Sequence, residues 1–370
     1  MSECHCGPRF QSDASPSGAV AGSLTRRCWL RRSGALLGLA AIGLRRAQAA
    51  AENPERTAVE LVTPEAQKAI DHGLAFLSRQ QHDDGSFGSS GYSRDVAVCG
   101  LAGMAFLAGG STPGRGPYGE QVSKCVDYIL ANTLESGFIN VPGSGSHGPM
   151  YGHGFATLFL AETYGMSPRT DIREKLSKAV NLIVNTQNNE GGWRYQPVRR
   201  DADISVTVSQ IMALRAARNA GLFVPHDTID RCIAYVKRSQ NADGGFMYMI
   251  LGGQSAFPRS AAGVVALYSS GIYEGPEIEK GLQYLMHSLP RGGVFNRESH
   301  YFYGHYYAVQ AMWHAGGEYW NRWYPSIRDE LIARQRDDGS WMDSICQEYG
   351  TSMACIVLQM PNNYLPIFQR

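Results

Sequence analysis

Asp201 and Asp203 stand one residue apart in the stretch GGWRYQPVRRDADISVTVSQIMAL, between two arginines and a long apolar run. Two carboxyls this close repel when both ionise, which raises one pKa and suits proton donation. A simpler role competes. An aspartate just before an apolar run caps a helix and contributes about 0.5–2 kcal/mol, although one cap accounts for one aspartate only. Arg199 and Arg200 bring positive charge that opposes the pKa rise, binds an anion or forms a salt bridge.

A second constellation is the duplicated triplet Tyr151-Gly152-His153 and Tyr303-Gly304-His305. Its histidines and tyrosines are either ligand-binding groups or hydrogen-bonded structural residues. Histidine and aspartate are metal-ligand types, yet the triplets lie three repeats apart, so no metal and no cofactor is expected. Arg259, in FPRSAAG, either pairs with Asp203 or binds an anion. The aromatic density of ESHYFYGHYYAVQAMW lines a cavity for apolar chains or cations, or else packs a core.

These residues are positioned by a repeat. LSRQQHDDGSFG, IVNTQNNEGGWRY, VKRSQNADGGFMY and IARQRDDGSWMD each end a helical pattern on glutamine and enter a Gly-aromatic turn, with YLMHSLPRGGVFN a degenerate copy. Such self-similarity outranks any local motif. Each turn leads into a helical pattern that is apolar nearly all round, with starts near Asp95, His153, Asp203, Arg259, His305 and Gly350. More polar amphipathic helices such as TDIREKLSKAVNLIVNTQ lie between them. A helix apolar on every side must be surrounded, whereas one with a charged face sits outside. Six of each close as two concentric rings, so the sequence predicts an all-α fold, an α/α toroid over residues 55–370. An open solenoid of helix pairs is the alternative. In the ring, the inner-helix starts converge on one mouth, where their dipoles favour anions.

Bulk composition places the chain among globular proteins, with 44% hydrophobic content over 370 residues. Residues 1–50 hold seven arginines against Glu3 and Asp13, so the net charge of +1 leaves the remainder at −4, unlike a nucleic-acid binder. Arg26-Arg27, the apolar run Gly34 to Leu44 and Ala47-Gln48-Ala49 resemble a twin-arginine export signal with a cleavage site. An extracytoplasmic or periplasmic location follows as an expectation, and the mature chain is expected to lack a transmembrane segment. Five cysteines remain beyond it, Cys99, Cys125, Cys232, Cys346 and Cys355, with no zinc-type spacing. They read as small buried hydrophobes, with one or two disulfides permitted by an oxidising compartment.

The Gln…Gly-x-Trp/Phe turns resemble the repeat shared by squalene and terpene cyclases and by protein prenyltransferase β subunits, and that resemblance implies the same toroid. The opening stretch is most similar to the cyclase segment in which a Gly-Gly-aromatic turn runs into Asp-x-Asp-Asp. The resemblance implies Asp203 as the proton-donating aspartate and Asp201 as its neighbour, with Ile204 standing where the third aspartate belongs. The His-Gly that opens a diphosphate-binding helix in the prenyltransferases is matched by His153-Gly154, and Arg199 or Arg200 by their diphosphate-touching basic residues. Their zinc-ligating cysteine is replaced by Asp203.

The expected function is binding of an isoprenoid or other apolar chain, with acid-initiated cyclisation or isomerisation. Asp203 and Asp201 would be catalytic, and Tyr151, His153, Arg199, Arg200, Arg259, Tyr303 and His305 would bind substrate. The alternatives are a non-catalytic envelope scaffold, and a toroid polysaccharide lyase or hydrolase using Asp203, Arg259 and Tyr303. The protein partner, if any, is left open.

Overall fold

Why the chain closes on itself is visible in four glutamines. The computed structural model describes residues 58–143, 148–290 and 299–369, and in it each glutamine that ends an outer helix spends its amide in the same way. Gln187 Nε2 donates to the carbonyl of Gly191 in its own turn and to that of Thr228 on the next outer helix, both at 2.9 Å. Gln81 does so to Gly85 and Gln121, and Gln240 to Gly244 and Glu277. Gln335, in the last such turn, donates to Gly339 at 3.0 Å and to Ala69, on the first outer helix, at 2.8 Å. The last repeat is thereby stitched to the first, and the open solenoid is excluded.

Twelve α-helices lie among the described residues. The outer helices are α1 (Pro64–Gln80), α3 (Gly119–Ala131), α5 (Asp171–Thr186), α7 (His226–Arg238), α9 (Pro276–Met286) and α11 (Gly317–Arg334). The inner ones are α2 (Val96–Ala108), α4 (Pro149–Tyr164), α6 (Ile204–Asn219), α8 (Phe257–Ser269), α10 (Tyr301–Ala315) and α12 (Gln347–Leu358). Each inner helix packs on the next, and α12 returns to α2, which completes the ring. The pattern of burial follows the sequence: α2 buries every residue except Ala97, whereas α1 buries a stripe through Ala66, Ala69, Ile70, Gly73, Leu74 and Leu77.

The turns repeat in detail. Trp193 is 1% exposed and donates its indole N–H to the Ile183 carbonyl at 2.7 Å, and Trp341 makes the equivalent bond to Leu331 at 2.8 Å. Gly191 holds φ +101°, where a Cβ would also collide with the Arg231 carbonyl of α7. Gly191→Ala is therefore expected to destabilise the protein by at least about 2 kcal/mol, read as a lower midpoint in urea unfolding. An unchanged midpoint would show that the turn can relax away from α7.

The five cysteines among the described residues are buried and unpaired, in line with packing rather than disulfide formation. No described helix is long and apolar enough to cross a membrane. The twin-arginine segment lies outside the described residues. Two inner helices start a full turn earlier than the repeat spacing suggests: α4 begins at Pro149 and α10 at Tyr301, four residues before His153 and His305. Proline in the first turn, where its missing N–H costs nothing, marks α4, and Pro258 marks α8 in the same way.

Candidate active site at the ring mouth

Asp203 is the N-cap of α6 and is fully buried. Its Oδ1 accepts the amides of Ser205 and Val206, both at 2.9 Å. Asp95 caps α2 with the same pair of bonds, to Ala97 and Val98, so capping is a property of the repeat. What distinguishes Asp203 is Oδ2, which accepts from the Tyr248 hydroxyl at 3.4 Å and lies 3.8 Å from Arg194 Nε. Burial pushes its carboxyl up to about 6, against the lowering pull of the Val206 amide and the Arg194 guanidinium. Asp201 does not share this environment. It is half exposed and forms an ion pair with Arg194, which thus bridges both aspartates. Mutual repulsion between the carboxyls is consequently not what raises the pKa of Asp203.

Four tyrosines surround the acid. Tyr195 and Tyr248 join hydroxyl to hydroxyl, and the Arg194 guanidinium lies 5.1 Å from the centre of the Tyr195 ring and 5.9 Å from that of Tyr248. Tyr303, on α10, reaches across to donate to the Ser205 carbonyl at 2.9 Å. Tyr151 stands 6.0 Å from Tyr195, ring to ring. Burial drives the hydroxyls of Tyr151 and Tyr303 well above the ordinary phenol range, yet both side chains keep accessible surface. Both therefore lie deep in protein and are still part accessible at the mouth. Beneath them the axis is filled by rings: Tyr303 and Tyr307 lie 4.8 Å apart, Tyr307 and Tyr306 4.8 Å, and the fully buried Tyr306 meets Phe155 of α4 at 6.1 Å. Helices α4 and α10, second and fifth in the ring, therefore touch through side chains on the axis.

The histidines turn away from this site. His153 Nδ1 accepts the Ile139 amide and Nε2 donates to the Ala179 carbonyl of the outer helix α5, each at 3.2 Å. Burial holds its imidazole at about 4, so it is neutral. His305 packs between Phe257, Tyr301 and Trp323 of the outer helix α11, and burial depresses it to about 3. Helical geometry explains both: residues two apart lie on opposite faces, so Tyr151 and Tyr303 face the axis and their histidines face outward. Arg259 does not pair with Asp203; it donates to the Phe246 carbonyl at 3.0 Å and to that of Gln254, fixing the loop before α8. Arg199 donates to the Asn185 carbonyl, and Arg200 is exposed. Of the expected residues, Asp203, Asp201, Tyr151 and Tyr303 come together. Arg194, Tyr195 and Tyr248 complete the set; the two tyrosines were legible in the repeat, since GGWRY and GGFMY place them at one equivalent position, whereas Arg194 aligns with Met247. No group of three metal-ligating side chains occurs among the described residues.

The ring and its mouth define a class of α/α toroids. The chain belongs to the prenyltransferase alpha-alpha toroid domain family, whose model matches residues 60–176 and 166–301. No curated protein matches by sequence. Among solved structures, the type II terpene cyclase MstE from Scytonema is similar at 13% identity and TM-score 0.56, over 82% of this chain and all of that one. An Asp-to-Asn variant of it bound to geranylgeranyl dihydroxybenzoate is similar at 13% and 0.55, over 82% and 98%. An α-1,6-mannanase from Salegentibacter is similar at 7% and 0.58, over 80% and 99%. Cellobiose 2-epimerase from Bacillus thermoamylovorans is similar at 12% and 0.57, over 84% and 98%. The fold thus hosts isoprenoid and carbohydrate chemistry alike, and only the site can choose between them.

Proposed function

We propose that the protein acts on the end of an unsaturated, isoprenoid-type chain by protonating it, with Asp203 as the acid. The observation that carries this reading is the line from the buried Asp203 carboxyl through the Tyr248 hydroxyl to the part-accessible Tyr195. Asp203 itself is covered, so the proton leaves through Tyr248: the carboxyl gives its proton to the phenol oxygen as the phenol proton passes on to the alkene. The π pair forms the new C–H bond, and the neighbouring carbon becomes a cation facing the tyrosine rings. Loss of a proton back along the line completes an isomerisation; attack by a second alkene completes a cyclisation. Asp201 acts indirectly, by holding Arg194 in place beside both tyrosines. Because fully buried rings fill the axis below, the chain meets the site by its end and not as a folded whole.

A second reading, a non-catalytic binding ring, draws on that same filled axis. The experiment that separates the two combines lipid extraction of the purified protein with incubation against squalene-like hydrocarbons and polyprenyl lipids. Retained lipid, and products lost in Asp203→Asn and Tyr248→Phe, support the enzyme. A protein that retains nothing and alters none of these leaves the binding ring. The polysaccharide reading loses its arginine, because Arg259 is committed to backbone carbonyls.

We also propose export of the folded protein by the twin-arginine route, supported by Arg26-Arg27 and Ala47-Gln48-Ala49. N-terminal sequencing of the extracytoplasmic fraction should begin at Ala50, and Arg26→Lys with Arg27→Lys should retain the protein inside. An intact Met1 in that fraction would refute the cleavage.

A further inference from the structure

The far face of the ring, at the C-terminal ends of the inner helices, carries a cavity of about 470 Å³ remote from Asp203. It opens between the ends of α8 and α10 and the starts of α9 and α11. Tyr268, Tyr273, Tyr319 and His314 supply its aromatic walls, and Glu274 and Glu279 its charge. Tyr268 lies 5.0 Å from His314 and 5.7 Å from Tyr273, while Tyr273 and His314 stand at 72°, so three rings form a corner. Glu279 is held at the cavity by the Tyr319 hydroxyl at 2.9 Å and by Gln283 Nε2 at 2.7 Å.

The electrostatics of these elements lean negative: the partial positive charge at the starts of α9 and α11 is offset by the other two helix ends, and the carboxylates are left over. Two helix C-termini, those of α8 and α10, point here, and each carries a partial negative charge. The two glutamates add to it. The opposing cation is Arg215, whose guanidinium lies 5.6 Å from the centre of the Tyr273 ring while its Nη1 donates to the Tyr268 carbonyl at 3.0 Å. It is tied to protein on the α6 side, and its place over Tyr273 shows that this ring already accepts a cation. Ile278 and Leu282 give the cavity an apolar base.

We propose that this cavity binds a quaternary ammonium group, taken up by the tyrosine rings and neutralised by Glu274 and Glu279. An alkylated cation suits it better than a primary amine. The lining is mostly aromatic and apolar, which matches methyl groups better than N–H donors, and Glu279 takes both of its hydrogen bonds on Oε1, leaving Oε2 to supply charge. The site is independent of the chemistry proposed at the mouth.

Calorimetric titration of the full chain with choline tests this directly. Saturable binding is expected, about tenfold or more tighter than that of the neutral isostere 3,3-dimethylbutan-1-ol, and tighter than that of ethanolamine. Tyr273→Ala, at a half-exposed loop position, and Glu279→Gln should each weaken choline binding several-fold while leaving the melting curve unchanged. Equal binding of the neutral isostere, tighter binding of ethanolamine, or indifference to both substitutions would overturn the proposal. Sedimentation with phosphatidylcholine vesicles assigns the group to a membrane headgroup; choline binding without sedimentation assigns it to a free solute.

Discussion

Asp203→Asn is expected to fold like the natural protein and to lose roughly 10²–10⁴ in turnover on the isoprenoid chain it accepts. Asparagine is as good an N-cap as aspartate, so its side-chain oxygen keeps the bonds to Ser205 and Val206. What it cannot do is supply a proton to Tyr248. The pH profile gives an independent check. With the carboxyl pushed up to about 6, turnover should fall as pH rises through about 6, where Asp203 loses its proton. Stability moves the same way. The folded pKa lies above the ordinary 3.8, so the contribution is fully present below that value and is lost as pH rises through about 6. At about 1.4 kcal/mol per pH unit the shift is worth on the order of 3 kcal/mol. The asparagine variant never ionises there and should gain melting temperature relative to the natural protein between about pH 4 and about pH 7. Full turnover in the variant would remove Asp203 from the chemistry and leave it as a cap.

The toroid was legible because its cause is local and repeated. Glutamine, positive-φ glycine and a buried aromatic recur in four of the turns, and each of those glutamines makes the same pair of bonds, so periodicity alone counts the helices and orders them in a ring. The site was legible only as far as that periodicity reached. Asp203 was found because it begins an inner helix. His153 and His305 were misplaced because the true helix starts lie a turn earlier, although their i, i+2 relation to Tyr151 and Tyr303 already forbids both partners from facing one axis. Arg194 was overlooked between Trp193 and Tyr195, where nothing in composition marks an arginine that will bridge two aspartates across the turn. Arg199, Arg200 and Arg259 are the arginines that the spacing marks, yet Arg199 and Arg259 bind backbone carbonyls and Arg200 is exposed. Long side chains choose their partner in three dimensions, and sequence spacing constrains them little.

The C-terminal segment QMPNNYLPIFQR carries the second large effect, through a residue that no motif marks. Leu365, Ile367 and Phe368 are buried against the far mouth of the ring, with the Phe368 carbonyl accepting from Trp313 Nε1 at 2.9 Å. Gln359 and Asn362 tie the start of the segment to the end of α2. Beneath it lies Glu162, on the last turn of α4, 3% exposed, with Oε2 accepting the Ile367 amide at 3.3 Å. Burial pushes this carboxyl up to about 8, against the lowering effect of that one bond, so Glu162 is neutral in the folded protein at pH 7. The unfolded value is about 4.5, hence its contribution is complete below that pH and is lost as pH rises through about 8. A shift of this size is worth on the order of 5 kcal/mol, a large part of the net stability of a typical domain. The natural protein should therefore lose melting temperature steadily from about pH 4.5 to about pH 8 and level off above it, with its C-terminal segment becoming cleavable by carboxypeptidase as Glu162 ionises near pH 8. Glu162→Gln keeps an acceptor for Ile367 and cannot ionise, so both curves should flatten. Parallel melting curves for the two proteins across that range would mean that the ionised carboxylate finds water or a cation, and that the segment is held by its apolar contacts alone.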